Sequence, residues 1–322
     1  MQSSPLVSVI IPNYNHAVFL ETRIQSVLDQ SYSNLEIILL DDCSTDNSRD
    51  IIERYRFNAQ VSHIVYNQIN SGSTFKQWNK GIELAKGNWV WFAESDDSAD
   101  EDFLMRLTEP LKEDTNIGIV YCQSMSMDST GKVWGDCLMW TDDLDVQLWR
   151  SNFLIEGKDA IRNYLMVKNI IPNASACLIS KKAFYLSGKA PIEMKYCGDW
   201  YLWCNILLQY NLAYVSTPLN YFRFHTATTR AFQSLDAFER KVEEDCKVIK
   251  LITSHIEIYE EKIVQSFNKI EQDIYLYFIE NRKFPISLNR FREIFIRYNF
   301  NASISLIKLY KTYFNLAWKK IK

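Results

Sequence analysis

Short aliphatic runs alternate with helical periodicities from Leu6 as far as Leu111. Leu6-Val7-Ser8-Val9-Ile10-Ile11, closed by Pro12, predicts a buried strand, and Asn13-Tyr14-Asn15 a turn. Phe19, Ile24, Val27 and Leu28 then recur at helical spacing until Asp29-Gln30-Ser31. Leu35–Leu40 reads as a second strand with Asp41-Asp42 at its carboxyl end. Ser44-Thr45-Asp46 can cap a helix running to Tyr55. Val61–Tyr66 predicts a third strand and Phe75–Ala85 a helix. Asn88–Ala93 is a very apolar fourth strand that runs without a spacer into Glu94-Ser95-Asp96-Asp97. This alternation predicts an α/β fold, a mostly parallel sheet flanked by helices.

Beyond Leu111 the pattern loosens. Ile117–Tyr121, Ser175–Ile179 and Tyr221–Phe224 predict strands, and 128–153, rich in Trp and Asp, predicts an elaborated loop. Residues 234–280 contain neither Gly nor Pro and interleave charged with apolar positions, which predicts continuous helix up to a break at Pro285. The expected division is a sheet domain over 1–228 and a helical region over 229–322. Near the end, Ile304, Ile307, Tyr310, Phe314, Trp318 and Ile321 form an apolar stripe with five lysines mostly beside it.

Charge sharpens that division. Positions 281–322 hold ten Lys/Arg and one acid, +9, so positions 1–280 carry −12 within a net charge of −3. A basic, aromatic, amphipathic helix suits an anionic membrane surface, where each cation contributes roughly 1 kcal/mol. Packing of the same stripe on residues 234–280 is the competing reading, and the C-terminal helices also offer a pairing surface for a homodimer. No nucleic-acid motif accompanies the basic residues. Seven cysteines without a C-x-x-C pair, no secretory leader and no long apolar span predict a cytoplasmic protein, with attachment to the inner face of the membrane through its C-terminus.

Carboxylates at the carboxyl end of a strand lie where open α/β sheets bind ligands. Three of them together repel unless a hard cation, Mg²⁺ or Mn²⁺, sits among them. The same acids can instead cap the following helix.

Ser8–Asn15, Gln25–Ser31, Leu39–Asp46, Asn70-Ser71-Gly72, Asn79-Lys80-Gly81, Ala85–Asp97, Gly198–Trp203 and Tyr221–His225, in this order, resemble the motifs of family 2 glycosyltransferases with the GT-A fold. The resemblance covers about residues 6–226. It implies an inverting, metal-dependent transfer of a sugar from a UDP- or dTDP-linked donor to a hydroxyl of a polysaccharide or lipid-linked glycan. It assigns Pro12, Tyr14, Asn15, Asp41, Asp42, Asn70, Gly72, Asn79, Glu94, Ser95 and Asp96 to the nucleotide-sugar pocket. Asp42 would accept the imide N–H of the base, with Tyr14 as a stacking surface. Asp96, Asp97 and His225 would hold Mn²⁺ or Mg²⁺. Glu94 replaces the first acid of the family's DXD motif. Asp199 would be the catalytic base, although its place also suits an N-cap, and Asn173 and Trp200 would lie on the acceptor side. A binding protein that kept the fold without turnover, or a nucleotidyltransferase, are the rival classes.

Overall fold

The computed structural model describes residues 4–225, 234–280 and 288–298. Ten strands form one sheet: β1 (Val7–Asn13), β2 (Leu35–Asp41), β3 (Val61–Tyr66), β4 (Trp89–Phe92), β5 (Ser98–Ala99), β6 (Ile117–Met127), β7 (Val133–Asp136), β8 (Phe153–Ile155), β9 (Cys177–Ser180) and β10 (Asn211–Arg223). The main order is β3-β2-β1-β4-β9-β6-β10-β5, with β7 on β6 and β8 on β10. β3, β2, β1 and β4 run parallel, β9 pairs antiparallel with both β4 and β6, and β10 returns parallel to β6.

All seven residues of β1 and of β2 are buried, as expected of parallel strands covered on both faces. Their alternation divides the core. Val9, Ile11, Ile37 and Leu39 join one apolar cluster, whereas Ile10, Ile38 and Leu40 face the other. The second cluster is closed by the helix Thr74–Leu84, whose Phe75, Trp78 and Ile82 recur three or four residues apart. Trp78 stacks on Phe92 and on Trp203, and burying such a side chain contributes roughly 1.5–3 kcal/mol. Gly81 lets that helix lie against β1, because a Cβ there would fall 2.4 Å from Ile10 Cγ2.

The expected strands are present, and the α/β architecture is as predicted. Pro12 does not end β1, because parallel pairing continues to Asn13 opposite Asp41. The 128–153 region contains β7 and short 3₁₀ turns rather than loop alone. The helix expected over 234–280 is two, Leu235–His255 and Glu260–Glu280. The break needs neither Gly nor Pro: Ile256 turns to extended backbone (φ −134°, ψ 137°) and buries its side chain. Phe238, Val242, Ile249, Ile270 and Phe291, all after position 234, pack in the same cluster as Trp78 and Trp203. The boundary expected at 228 and the stripe at 304–321 lie outside the described residues. Among the described residues no cysteine forms a disulfide, and no helix is long and apolar enough to cross a membrane.

Candidate active site

The carboxyl ends of β1, β2 and β4 open on one side of the sheet, bringing together Asn13–His16, Asp41–Ser44 and Glu94–Asp97. From the last strand comes His225, just past the end of β10 at Arg223. Its Nε2 lies 3.0 Å from Asp96 Oδ2. His16 joins them: ligand atoms of His16, Asp96 and His225 lie within 4.8 Å of one another, and the two imidazole rings meet edge to face. Ser95, almost fully buried, places its Oγ 2.8 Å from His16 Nδ1 and fixes that ring. Burial lowers the His16 pKa first; Asp96 pulls it up and His225 down, and the net shift is downward, toward the neutral ring that ligates metals. Asp96 is also held below the usual carboxylate range. Burial opposes this, but the His225 hydrogen bond and the two imidazoles outweigh it.

Two imidazoles and one carboxylate suit a divalent transition ion. The donor types and their closeness, within 4.8 Å, suit such an ion, while His225 and Asp96 at 3.0 Å hydrogen-bond to each other.

Asp97 points elsewhere. Its Oδ2 accepts from Asn173 Nδ2 at 2.7 Å, its Oδ1 accepts from the Arg223 N–H at 2.9 Å, and Arg23 stands 4.0 Å away. Burial and the neighbouring Asp96 push it up to about 6, while Arg23 and the two donors pull it back. The sequence reading placed it at the metal, but its oxygens brace the loop after β4 from below. Asn173 is spent on that brace and on accepting the Ser175 N–H, so it is turned inward rather than toward an acceptor. Arg223 clamps the loop from the other side, donating to the carbonyls of Asp96 and Asp128.

Glu94 accepts from Trp78 Nε1 at 2.7 Å and from Thr74 Oγ1 at 3.2 Å. Burial, then the charge of Asp96, pushes it up to about 8. In place of a shorter acid it thus ties the Thr74–Leu84 helix to β4.

At β2, Asp41 is fully buried, accepting from Asn13, the Ser44 N–H and Arg49. It is a brace rather than a face of the pocket. Asp42 Oδ1 accepts from Asn67 and Gln77, Oδ2 accepts from Ser71 Oγ, and the Ser71 N–H is shared between the two oxygens. The shared bond to Oδ2 is the longest of the set at 3.1 Å, so that oxygen is the one best able to take a further donor. Asn70 accepts the Gly72 N–H and donates to the Asp42 carbonyl, and Gly72 takes φ +69°, which suits glycine. Asn15, itself at φ 55°, accepts from Thr45. Tyr14 is 45% exposed beside this loop, and Pro12 is buried in β1. Asn79 lies apart from the pocket: both ends of its amide pair with the backbone of Ala190.

Asp199 is in the first turn of the helix Gly198–Leu207. Its Oδ1 accepts the N–H of Trp200, and its Oδ2 accepts from Asn169 at 3.0 Å. Trp200 is buried with its indole N–H on the Leu165 carbonyl, so it supports this helix from within rather than facing an acceptor. Gly198 is obligatory in another sense: a Cβ there would meet the Phe75 ring at 2.5 Å.

Residues 8–184, more than half of the chain, match the family model described as glycosyl transferase family 2. The chain belongs to that family. The teichuronic acid biosynthesis protein TuaG of Bacillus subtilis (strain 168) is 44% identical over 109 residues, 34% of this chain and 43% of TuaG. Glycosyltransferase GlyG of Streptococcus pneumoniae is 36% identical over 121 residues, 37% of this chain and 40% of GlyG, so these alignments span less than half of either relative. EpsH of Bacillus subtilis is 25% identical over 272 residues, covering 84% of this chain and 72% of EpsH. The fold matches S. aureus TarS in complex with UDP-GlcNAc, with a TM-score of 0.69, 16% identity, and 91% and 80% of the two chains covered. The mannosyltransferase PcManGT of Pyrobaculum calidifontis, in complex with GDP-Man and Mn²⁺, matches with a TM-score of 0.57, 15% identity, and 98% and 81% covered. The fold is thus that of GT-A glycosyltransferases. The family match ends before Asp199 and His225.

His16 was not singled out from the sequence. It stands far ahead of Asp96 in the chain, and only its place just after the Asn13-Tyr14-Asn15 turn could have pointed to it.

Proposed function

We propose that this chain is an inverting, metal-dependent glycosyltransferase. It moves a sugar from a UDP- or dTDP-linked donor to a hydroxyl of a polysaccharide or lipid-linked glycan. The observation that carries this reading is the meeting of His16, Asp96 and His225 at the end of β4, in a family 2 chain that also presents Asp199 at a helix N-terminus.

The base meets Asp42 Oδ2, taking the place of the shared Ser71 N–H there, with Tyr14 alongside as a stacking surface. An imide N–H suits that acceptor, which favours uracil or thymine. A divalent ion held by His16, Asp96 and His225, Mn²⁺ rather than Mg²⁺ given the two imidazoles, would offset the charge that develops on the departing diphosphate. Asp97, Arg23 and Arg223 keep the loop that carries Asp96 in place. Asp199 takes the proton of the acceptor hydroxyl as its oxygen bonds to the anomeric carbon and the bond to the diphosphate breaks. Attack from the face opposite the leaving group inverts that carbon. Asn169 and the Trp200 N–H, one on each oxygen, fix the orientation of the Asp199 carboxylate.

The UDP-GlcNAc complex of TarS and the GDP-Man and Mn²⁺ complex of PcManGT support a nucleotide-sugar donor and a metal. TuaG, named for teichuronic acid biosynthesis, supports a polysaccharide product. The basic, aromatic C-terminal stripe supports attachment to the inner face of an anionic membrane. Deleting residues 302–322 then releases the protein from anionic vesicles without lowering its melting temperature.

The deciding experiment is heat denaturation with a panel of nucleotide sugars, with and without Mn²⁺. A donor at about 100 times its Kd adds roughly 2.7 kcal/mol. A metal-dependent shift with a UDP or dTDP sugar, followed by turnover, bears the reading out. A shift without turnover toward any hydroxyl acceptor favours a binding protein of the same fold.

A further inference from the structure

We propose that β7 and the turn after it, with Phe224, form an aromatic platform that binds an uncharged glycan as the acceptor. The proposal rests on the reading of Asp199 as the base.

Single exposed apolar side chains are ordinary on a protein surface, but a cluster of them is not. Val133, Trp134, Met139 and Trp140, close together in the chain, are 38%, 55%, 82% and 38% exposed, and Phe224 is 44% exposed. The segment is not a loose loop. β7 pairs antiparallel with the end of β6, the Cys137 N–H donates to the Ser124 carbonyl, and Asp136 accepts the Leu138 N–H.

Its two ends reach the two halves of the candidate active site. At one end the Trp134 ring lies 5.4 Å from that of Phe224, the neighbour of His225. At the other, Trp140 Nε1 donates to the carbonyl of Asn169, whose amide donates to Asp199. The exposed rings therefore span from the metal-ligating histidine to the base, where an acceptor hydroxyl has to arrive.

Chemistry selects the occupant. A pyranose ring shows an apolar C–H face that stacks on Trp or Phe, and hydroxyls at its edge that donate to carboxylates. Residues 128–145 supply five Asp (128, 136, 142, 143, 145) against one Lys (132), a net −4. Arg150 and Lys168 pair with Asp142 and Asp143 and lower this to about −2, and Lys168 also lies 5.6 Å over the Trp140 ring. The remaining acidic charge disfavours a phosphate or uronate unit directly on these rings and favours a neutral sugar unit of the glycan there.

The test uses the full chain and titrates neutral hexasaccharides (cellohexaose, maltohexaose, chitohexaose) and anionic ones (hexagalacturonate, glycerol-phosphate oligomers). Trp134→Ala and Met139→Ala are compared with Trp134→Phe, with donor-induced heat stabilisation and donor hydrolysis in water measured alongside. The expected result is saturable binding of at least one neutral glycan, weakened at least tenfold by Trp134→Ala and restored by Trp134→Phe. Donor stabilisation and hydrolysis stay unchanged. Neutral binding that is absent, or indifferent to both alanine variants, overturns the proposal, as does tighter binding of an anionic oligomer. Should Trp134-dependent glycan binding persist while no nucleotide sugar stabilises the chain, the platform stands and the donor reading falls.

Discussion

Glu244 accepts the backbone N–H of Cys197, the residue that precedes the helix bearing Asp199. The same carboxylate accepts from the N–H groups of Lys195 and Tyr196, and it is only 1% exposed. Arg240, one helical turn earlier, donates to it at 3.1 Å. A residue beyond the family match therefore anchors the start of the helix that presents the candidate base. A carboxylate at a helix N-terminus is favourable in itself, and here it also takes up three backbone N–H groups, that of Cys197 buried.

Replacing Glu244 by Ala leaves those donors unpaired and is expected to cost about 2–4 kcal/mol, read by denaturant melts. Glu244→Gln, which keeps one acceptor, should retain the fold. Its kcat should fall about tenfold while the donor KM stays put. An equal change in both parameters would mean that Glu244 supports the whole domain rather than the base.

Asp199→Asn keeps the shape of the side chain and removes its basicity. Transfer should drop by about 10²–10⁴-fold with donor binding intact, measured by single-turnover assay and calorimetry. Loss of donor binding as well would reassign Asp199 to a structural role at its helix end. Asn169→Ala should have a smaller effect on kcat, because it removes one donor that orients the carboxylate without removing the base.

His16→Ala removes one of three proposed ligands. Mn²⁺ affinity in the presence of a nucleoside diphosphate should weaken at least tenfold by paramagnetic resonance titration, and His225→Ala should do the same. His63→Ala, on β3 with Ser62 Oγ as its partner, is the control and should change nothing. Unchanged Mn²⁺ binding in His16→Ala would leave Asp96 and His225 as the protein ligands.

Gly198→Ala sets a methyl against the Phe75 ring. The expected cost is about 1–3 kcal/mol, since the methyl would lie 2.5 Å from the buried Phe75 ring. Phe75→Leu in the same chain should recover part of it. Failure to recover would place the strain in the turn before the helix rather than in this contact.

The sheet and its ligand-binding edge could be read from the sequence because they are local statements. The β-branched runs state where β1, β2 and β4 lie, and Asp41-Asp42 and Glu94–Asp97 follow them directly. What could not be read was which way a polar side chain turns. Asn79 and Asn173 stand in family motifs yet spend their amides on Ala190 and Asp97, partners 111 and 76 residues away. The family resemblance put Asp97 at the metal beside Asp96, but successive residues point in different directions, and Asn173, Arg23 and the Arg223 N–H claim it. His16 and Glu244 were missed for the converse reason. Each acts on groups far off in the chain, His16 on Ser95 and His225 and Glu244 on Cys197, at spacings no motif records.

The sheet order has a consequence for synthesis on the ribosome. β9 sits between β4 and β6, both of which leave the ribosome before it. Between Phe92 and Cys177 lie 85 steps of the chain, about 4–17 s at roughly 5–20 residues per second. Throughout that interval the Trp89–Phe92 edge of the nascent chain, among its most apolar segments, has one side unpaired. Such an edge invites pairing with a neighbouring polypeptide. A lower growth temperature or a holding chaperone should therefore raise the soluble yield of this chain.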